Sequence, residues 1–232
     1  MAEDIYNNSE YMDKNPSWHV EHSAWKADQV KKIINQNDLT LNKIIEVGCG
    51  AGEILVNLSK DYPNRKFIGY EISKEIFAIA KNKESENVEF IYGNITDESN
   101  YSDLILCIDV FEHVENYISF LKELKRHSKY HIFHIPLDIN VLGLFRNRLI
   151  KERISVGHLH YFTFETAIAT LEDCGYQIVD WNFTDSFYKG GLEHPSNIKS
   201  KILRYFQGLI YSISPKLLSK TLGGLSLIVL TK

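Results

Sequence analysis

Cysteine is scarce in this 232-residue chain: only Cys49, Cys107 and Cys174 occur, and no two of them form a C-x-x-C pair. That excludes a disulfide scaffold and points to three reduced, largely buried thiols in a cytoplasmic protein. No apolar run reaches about 18 residues, which excludes a membrane-spanning helix. Basic residues are outnumbered by acidic ones, 26 to 30, for a net charge of −4. No global positive field therefore draws nucleic acid or an anionic membrane. The first residues, Met1–Tyr6, are acidic and lack the apolar stretch of a secretion signal. Internal repeats and low-complexity tracts are also missing. What remains is ordinary globular composition, 44% hydrophobic and 24% charged.

The pattern along the chain alternates strands with helices. Residues 1–17 read as a polar lead-in. Residues 18–36 read as a helix, with Trp18, Trp25, Val30, Ile33 and Ile34 as its apolar stripe; Tyr11 joins these tryptophans as core or as substrate-cap lining. Strands are predicted over 43–47, 66–71, 88–92, 103–108, 130–135, 176–183 and 225–230. Helices are predicted over 53–61, from an N-cap at Ser73 through 81, over 117–127, and from Thr163 to about Cys174. Near-continuous apolar strands between helices imply a parallel sheet covered on both faces. The fold class is α/β, a doubly wound, Rossmann-like sheet of seven strands. Residues 184–198 read as a loop with Gly190, Gly191 and Pro195. Residues 199–213 read as an amphipathic helix, and Pro215 and Gly223-Gly224 as breaks after it. Four regions result: lead-in and helix 1–39, core 40–183, inserted helical cap 184–224 and final strand 225–232.

In such a sheet ligands bind beyond the carboxyl ends of the strands. The first strand ends in Glu46-Val47-Gly48-Cys49-Gly50-Ala51-Gly52. Its glycines permit a tight turn and close approach of a ligand to the backbone. A dinucleotide turn reads G-x-G-x-x-G, but Glu53 stands where the third glycine would be. Glu46 is unfavourable beside a pyrophosphate and suits a ligand with an ammonium or sulfonium group. Further polar strand ends follow in register. Glu71 can accept from both ribose hydroxyls, Asn94 can read an adenine amino group, and Asp109 ends the fourth strand.

With these residues in place, the chain resembles the class I S-adenosylmethionine-dependent methyltransferases, in particular a bacterial small-molecule group. The resemblance rests on Asp109-Val110-Phe111-Glu112-His113-Val114, on Gly157-His158-Leu159-His160-Tyr161-Phe162-Thr163, and on Cys174-Gly175-Tyr176. It spans about residues 40–183 and implies an antiparallel last strand. It also implies that Glu46, Gly48, Cys49, Gly50 and Gly52 hold the methionine end of S-adenosylmethionine. Glu71 would hold the ribose, Ile72, Asn94 and Ile95 the adenine, and Asp109 would lie near the amino group. Asn94 departs from the aspartate of many relatives and retains the needed hydrogen bond.

Methyl transfer to a hydroxyl needs a base beyond the strand ends. Asp138, His158 and His160 occupy that position, and His113 is read as stabilising the turn after strand four. His131 and His134 are read as packing residues. No metal is expected, since Asp138, His158 and His160 form no compact ligand motif. The expected partner is a small-molecule acceptor. Nucleic acid is not expected: the loop at Asp109 lacks the proline of an amino-methylating enzyme. A non-catalytic S-adenosylmethionine-binding module is the other alternative, and a nicotinamide oxidoreductase is disfavoured by Glu46 and Glu53. The 199–213 helix, with Lys199, Lys201 and Arg204 beside its apolar face, would pack on the domain, on a partner, or on a membrane surface carrying a lipid-linked substrate.

Overall fold

The computed structural model describes residues 20–95, 100–185 and 197–232. The predicted lead-in over 1–17, Tyr11 and Trp18, and the loop residues Gly190, Gly191 and Pro195 lie outside the described residues. Short β-branched runs ending in glycine or a polar residue become strands: β1 (Lys43–Val47), β2 (Lys66–Glu71), β3 (Val88–Tyr92), β4 (Ser102–Ile108), β5 (Ser128–Pro136), β6 (Ile178–Thr184) and β7 (Ser226–Thr231). They form one sheet of order β3-β2-β1-β4-β5-β7-β6. Pairing is parallel from β3 through β5, and β7 runs antiparallel between β5 and β6. The order turns back at β1, whose neighbours β2 and β4 leave a crevice above its carboxyl end.

Alternate residues of each strand face opposite layers. Ile44, Phe67, Phe90, Leu104 and Leu106 pack against α1 (Val20–Gln36) and α2 (Glu53–Asp61). Helix α3 (Lys74–Lys81) adds Ala80 to this layer. Ile45, Tyr70, Ile105, Cys107 and Phe133 face the other layer, under α4 (Tyr117–Leu124) and α7 (Phe164–Asp173). Val30, Ile33 and Ile34 of α1 are buried as its stripe predicts, and Trp25 meets the His134 ring edge-on at 6.0 Å. All three cysteines are buried free thiols.

Three elements differ from the sequence expectation. Helices α5 (Val141–Phe145) and α6 (Arg148–Ser155) follow β5; α6 is short, half its residues are charged, and it buries no side chain. Helix α8 (Ile198–Ile213) continues after Ser214 into α9 (Pro215–Thr221), where Pro215 starts a helix instead of ending one. Ser73 stands at the start of α3 but makes no side-chain cap; its N–H donates to Glu71 Oε1 at 2.8 Å. Among the described residues no helix is long and apolar enough to cross a membrane.

Candidate active site

The carboxyl ends of β1 to β5 converge on one edge, and the turn after β1 sets its geometry. Gly50 has φ +54°, and a Cβ there would meet nothing within 4 Å, so its backbone faces open space. Gly52 has φ +81°, and a Cβ there would strike the Phe90 ring at 2.4 Å. The turn is thus pressed on β3 from behind and open in front. Lys83 holds its far side, with Nζ 2.8 Å from the Ala51 carbonyl and 2.7 Å from Glu53.

Glu71 ties three strand ends together. Its Oε2 accepts from Gly50 N at 2.9 Å, its Oε1 from Ser73 N, and its carbonyl from Gly93 N at 3.0 Å. Burial raises its carboxyl pKa, and these backbone donors work against that rise. Each oxygen retains a lone pair for a ribose hydroxyl. Ile72, next along, is 46% exposed beside this carboxylate. Asn94 is half-buried beyond β3.

Glu46 is buried and its Oε2 has no hydrogen-bond partner. Burial pushes its pKa well up, and Lys26 opposes this. Cys49 donates its backbone N–H to Tyr70 O, and burial keeps its Sγ a thiol, so its part is to shape the turn. Ile95 differs from expectation: it is fully buried in the core with Tyr70 and Ile68, so its side chain packs and has no surface for adenine.

Asp109 adopts φ +54° at the end of β4. Its Oδ2 lies 2.7 Å from Lys26 Nζ and its Oδ1 2.6 Å from His134 Nδ1. Burial would raise its pKa, but His134 and Lys26 hold it far below the usual carboxylate range. Both oxygens are therefore engaged within the protein. Burial works against the charge of Lys26, yet Asp109, Glu112 and Glu46 hold its pKa above the ordinary value. His134, expected only to pack, links Asp109 to Thr184 Oγ1 at 2.8 Å. His131 does pack: it is fully buried, with Nε2 3.1 Å from the Leu124 carbonyl.

The second polar group lies just beyond. A short 3-10 turn, Phe111–His113, carries Glu112 and His113. Glu112 is fully buried and, among the described residues, neither carboxylate oxygen has a hydrogen-bond partner. Its carbonyl accepts from Leu159 N at 2.9 Å and His160 N at 3.0 Å. His113 Nδ1 lies 3.2 Å from Gly157 O, and the rings of His113 and His158 meet edge-on at 4.9 Å. Burial and the His158 neighbour lower the His113 pKa to about 4. His158 Nδ1 lies 2.7 Å from Asp138 Oδ2. The predicted pair Asp138 and His158 is thus brought together. His160 is not part of it: its Nε2 meets Val114 O at 3.0 Å and its ring lies on Tyr117. Lys26 and Glu112 are the site residues that the sequence reading did not assign.

A methyltransferase-domain family model matches residues 18–180, well over half the chain. The chain belongs to the class I S-adenosylmethionine-dependent methyltransferases. An uncharacterized protein of Methanocaldococcus jannaschii is 32% identical over 181 residues, 77% of this chain and 72% of that one. A tRNA (guanine-N(7)-)-methyltransferase of Pediococcus pentosaceus is 43% identical over 61 residues, 25% of this chain and 29% of that enzyme. Among solved structures, a Thermotoga maritima S-adenosylmethionine-dependent methyltransferase aligns over 100% of both chains with a TM-score of 0.64 and 18% identity, which shows the fold. The methyltransferase uses S-adenosylmethionine as its cofactor.

Proposed function

We propose that this methyltransferase transfers a methyl group to a hydroxyl of a small molecule. The Asp138–His158 pair, seated beside the buried Glu112 and His113 beyond β4 and β5, carries the reading. S-adenosylmethionine supplies a methyl group already activated for displacement. The chain's own residues then bind, align and take up a proton.

The residues beyond β1 to β3 fit the cofactor. Glu46 offers a buried unpartnered oxygen for an ammonium, the Gly50 backbone an open cradle, Glu71 a ribose acceptor, and Ile72 and Asn94 an adenine edge. Gly48 and Gly52 shape the turn. Asp109 acts through Lys26 and His134, because both its oxygens are taken up by them. The acceptor proton leaves toward the Glu112–His113–His158 group, with Asp138 fixing the orientation of His158.

The acceptor side is formed by α5, α6, α8 and α9. Helix α8 buries no residue, and Phe145 of α5 is 86% exposed. The only acid within these four helices is Glu152, against Lys and Arg on α6, α8 and α9. This favours contact of the 199–213 segment with an anionic membrane surface and an apolar or lipid-linked acceptor. A cytoplasmic location belongs to the same reading.

S-adenosylhomocysteine release, measured across phenolic, sugar, lipid-precursor and amine acceptors and unmodified tRNA, tests it. Turnover with a hydroxyl acceptor is expected. Turnover confined to an amine or to tRNA would overturn the proposal.

A further inference from the structure

Glu112 poses a physical problem that the methyl-transfer reading leaves open. A buried carboxylate normally has hydrogen-bond donors or a cation beside it. Here neither oxygen has a side-chain donor among the described residues. Lys26, whose charge acts on Glu112, is committed to Asp109 at 2.7 Å. One ligand-type atom each from Glu112, His113 and His158 lies within 4.8 Å of the others. Donors bound about 2.1 Å from one ion stand roughly 3–4 Å apart, so closure by about 1–2 Å would make a coordination set.

The surroundings of the two histidines point the same way. His158 Nδ1 donates to Asp138 at 2.7 Å, and His113 Nδ1 donates to the Gly157 carbonyl at 3.2 Å. Each bond fixes a tautomer whose lone pair is on Nε2, and His113 Nε2 faces Glu112 Oε1 at 4.0 Å. A metal-bound imidazole characteristically has its other nitrogen held in this way. The chain segments bearing the three groups are also locked together, since the Glu112 carbonyl accepts from Leu159 and His160.

We propose that Glu112, His113 and His158 bind one divalent transition-metal ion beside the acceptor site. This departs from the expectation of no metal; of the set Asp138, His158 and His160 weighed there, Asp138 stands behind His158 and His160 lies elsewhere. Two imidazoles and one carboxylate suit zinc, manganese(II) or cobalt(II) over magnesium or calcium, which take oxygen ligands. Three protein donors leave coordination positions for an acceptor hydroxyl. Use of the ion in catalysis rests on the O-methylation reading; binding of the ion does not. With the ion bound, the two histidines and Glu112 spend their lone pairs on it and no longer take the acceptor proton: the acceptor O–H bond breaks on the ion and the proton leaves to solvent. The oxygen electron pair then forms the bond to the methyl carbon, and sulfur keeps the pair of the bond that breaks.

The test titrates the EDTA-treated full chain with zinc, manganese(II) or cobalt(II) chloride by calorimetry, with cobalt absorption as a second readout. One equivalent is expected to bind with a visible cobalt band. Glu112→Gln and His158→Ala should each weaken binding about 100-fold or more, and Asp138→Asn about 10- to 100-fold. S-adenosylhomocysteine affinity should stay within about 2-fold in Glu112→Gln, since Glu112 lies outside the cofactor residues. No stoichiometric binding by the wild type, or unchanged binding in both Glu112→Gln and His158→Ala, would overturn the site. Should Glu112→Gln not fold by circular dichroism, His113→Ala and the cobalt band decide in its place. Stoichiometric binding without turnover of any hydroxyl acceptor would support the site and sink the O-methylation reading. Full turnover in EDTA would overturn the catalytic use of the ion.

Discussion

Lys26 on the first described helix meets Asp109 at the end of β4 at 2.7 Å, across 83 positions of sequence. The same carboxylate holds His134 on β5, so one acid joins α1, β4 and β5 around the site. Substituting Lys26→Met leaves the half-buried Asp109 with one partner. Removing one member of a buried pair costs several kcal/mol, less where the groups are partly exposed, as here. A loss of about 1–3 kcal/mol is expected in urea denaturation. An unchanged midpoint would mean the pair contributes nothing to stability.

Glu71 supports the glycine turn as well as the proposed ribose site. Glu71→Ala should weaken S-adenosylhomocysteine binding by roughly 10- to 100-fold in calorimetry, the scale of losing hydrogen bonds to a charged group. Glu71→Gln, which loses one acceptor oxygen, should fall between. Affinity unchanged in both variants would disprove the ribose assignment.

Gly52 is held against Phe90. In Gly52→Ala the added Cβ would lie 2.4 Å from the ring, at a φ of +81°. Left-handed strain and overpacking together should cost about 2–4 kcal/mol. Adding Phe90→Leu should recover part of the melting temperature but not the strain. No recovery at all would show that the clash plays no part.

His131 makes stability depend on pH. Burial lowers its pKa from the ordinary 6.5 to about 4 in the folded chain. Between these values the unfolded chain binds more protons, so this contribution is complete above about pH 6.5 and is lost as pH falls toward 4. The full loss is about 3 kcal/mol. His131→Gln keeps a donor for the Leu124 carbonyl and should flatten the urea midpoint between pH 7 and 4.5. Parallel curves for variant and wild type would rule out His131 as the source.

The basic, apolar helices of the acceptor side should bind phosphatidylglycerol vesicles and release them at high salt, with little binding to phosphatidylcholine. Ile202→Glu or Phe145→Glu should weaken co-sedimentation about 10-fold. Equal binding to both vesicle types, or to wild type and variants, would count against an anionic membrane contact.

The cofactor half was legible because its strands end in residues with few alternatives. β1, β2 and β3 stop where predicted, at Val47, Glu71 and Tyr92, each followed within two residues by glycine, serine or asparagine. The seven strands and the antiparallel β7 follow the resemblance as well. The acceptor half was less legible. Helix α6 is short and buries nothing, and its few apolar residues read as easily as part of a charged loop. Lys26 and Glu112 take their meaning from partners distant in sequence. Glu112 in particular reads as one acid in an apolar run until the turn buries it away from side-chain donors. Ile95 stands just beyond a strand end, a place that suggests a ligand contact, whereas its side chain faces the core.

Thr184, the last residue of β6, is the direct partner of Ser226, the first of β7. The long segment between them therefore leaves and re-enters the sheet at two touching points, like the loop of an oversized hairpin. Lengthening such a loop adds only about 0.6 kcal/mol per doubling. Lineages can thus exchange this cassette without disturbing the register that holds Asp109, Asp138 and the glycine turn. A change of acceptor need not retune the cofactor chemistry, and grafting the cassette between relatives is the direct route to altered specificity.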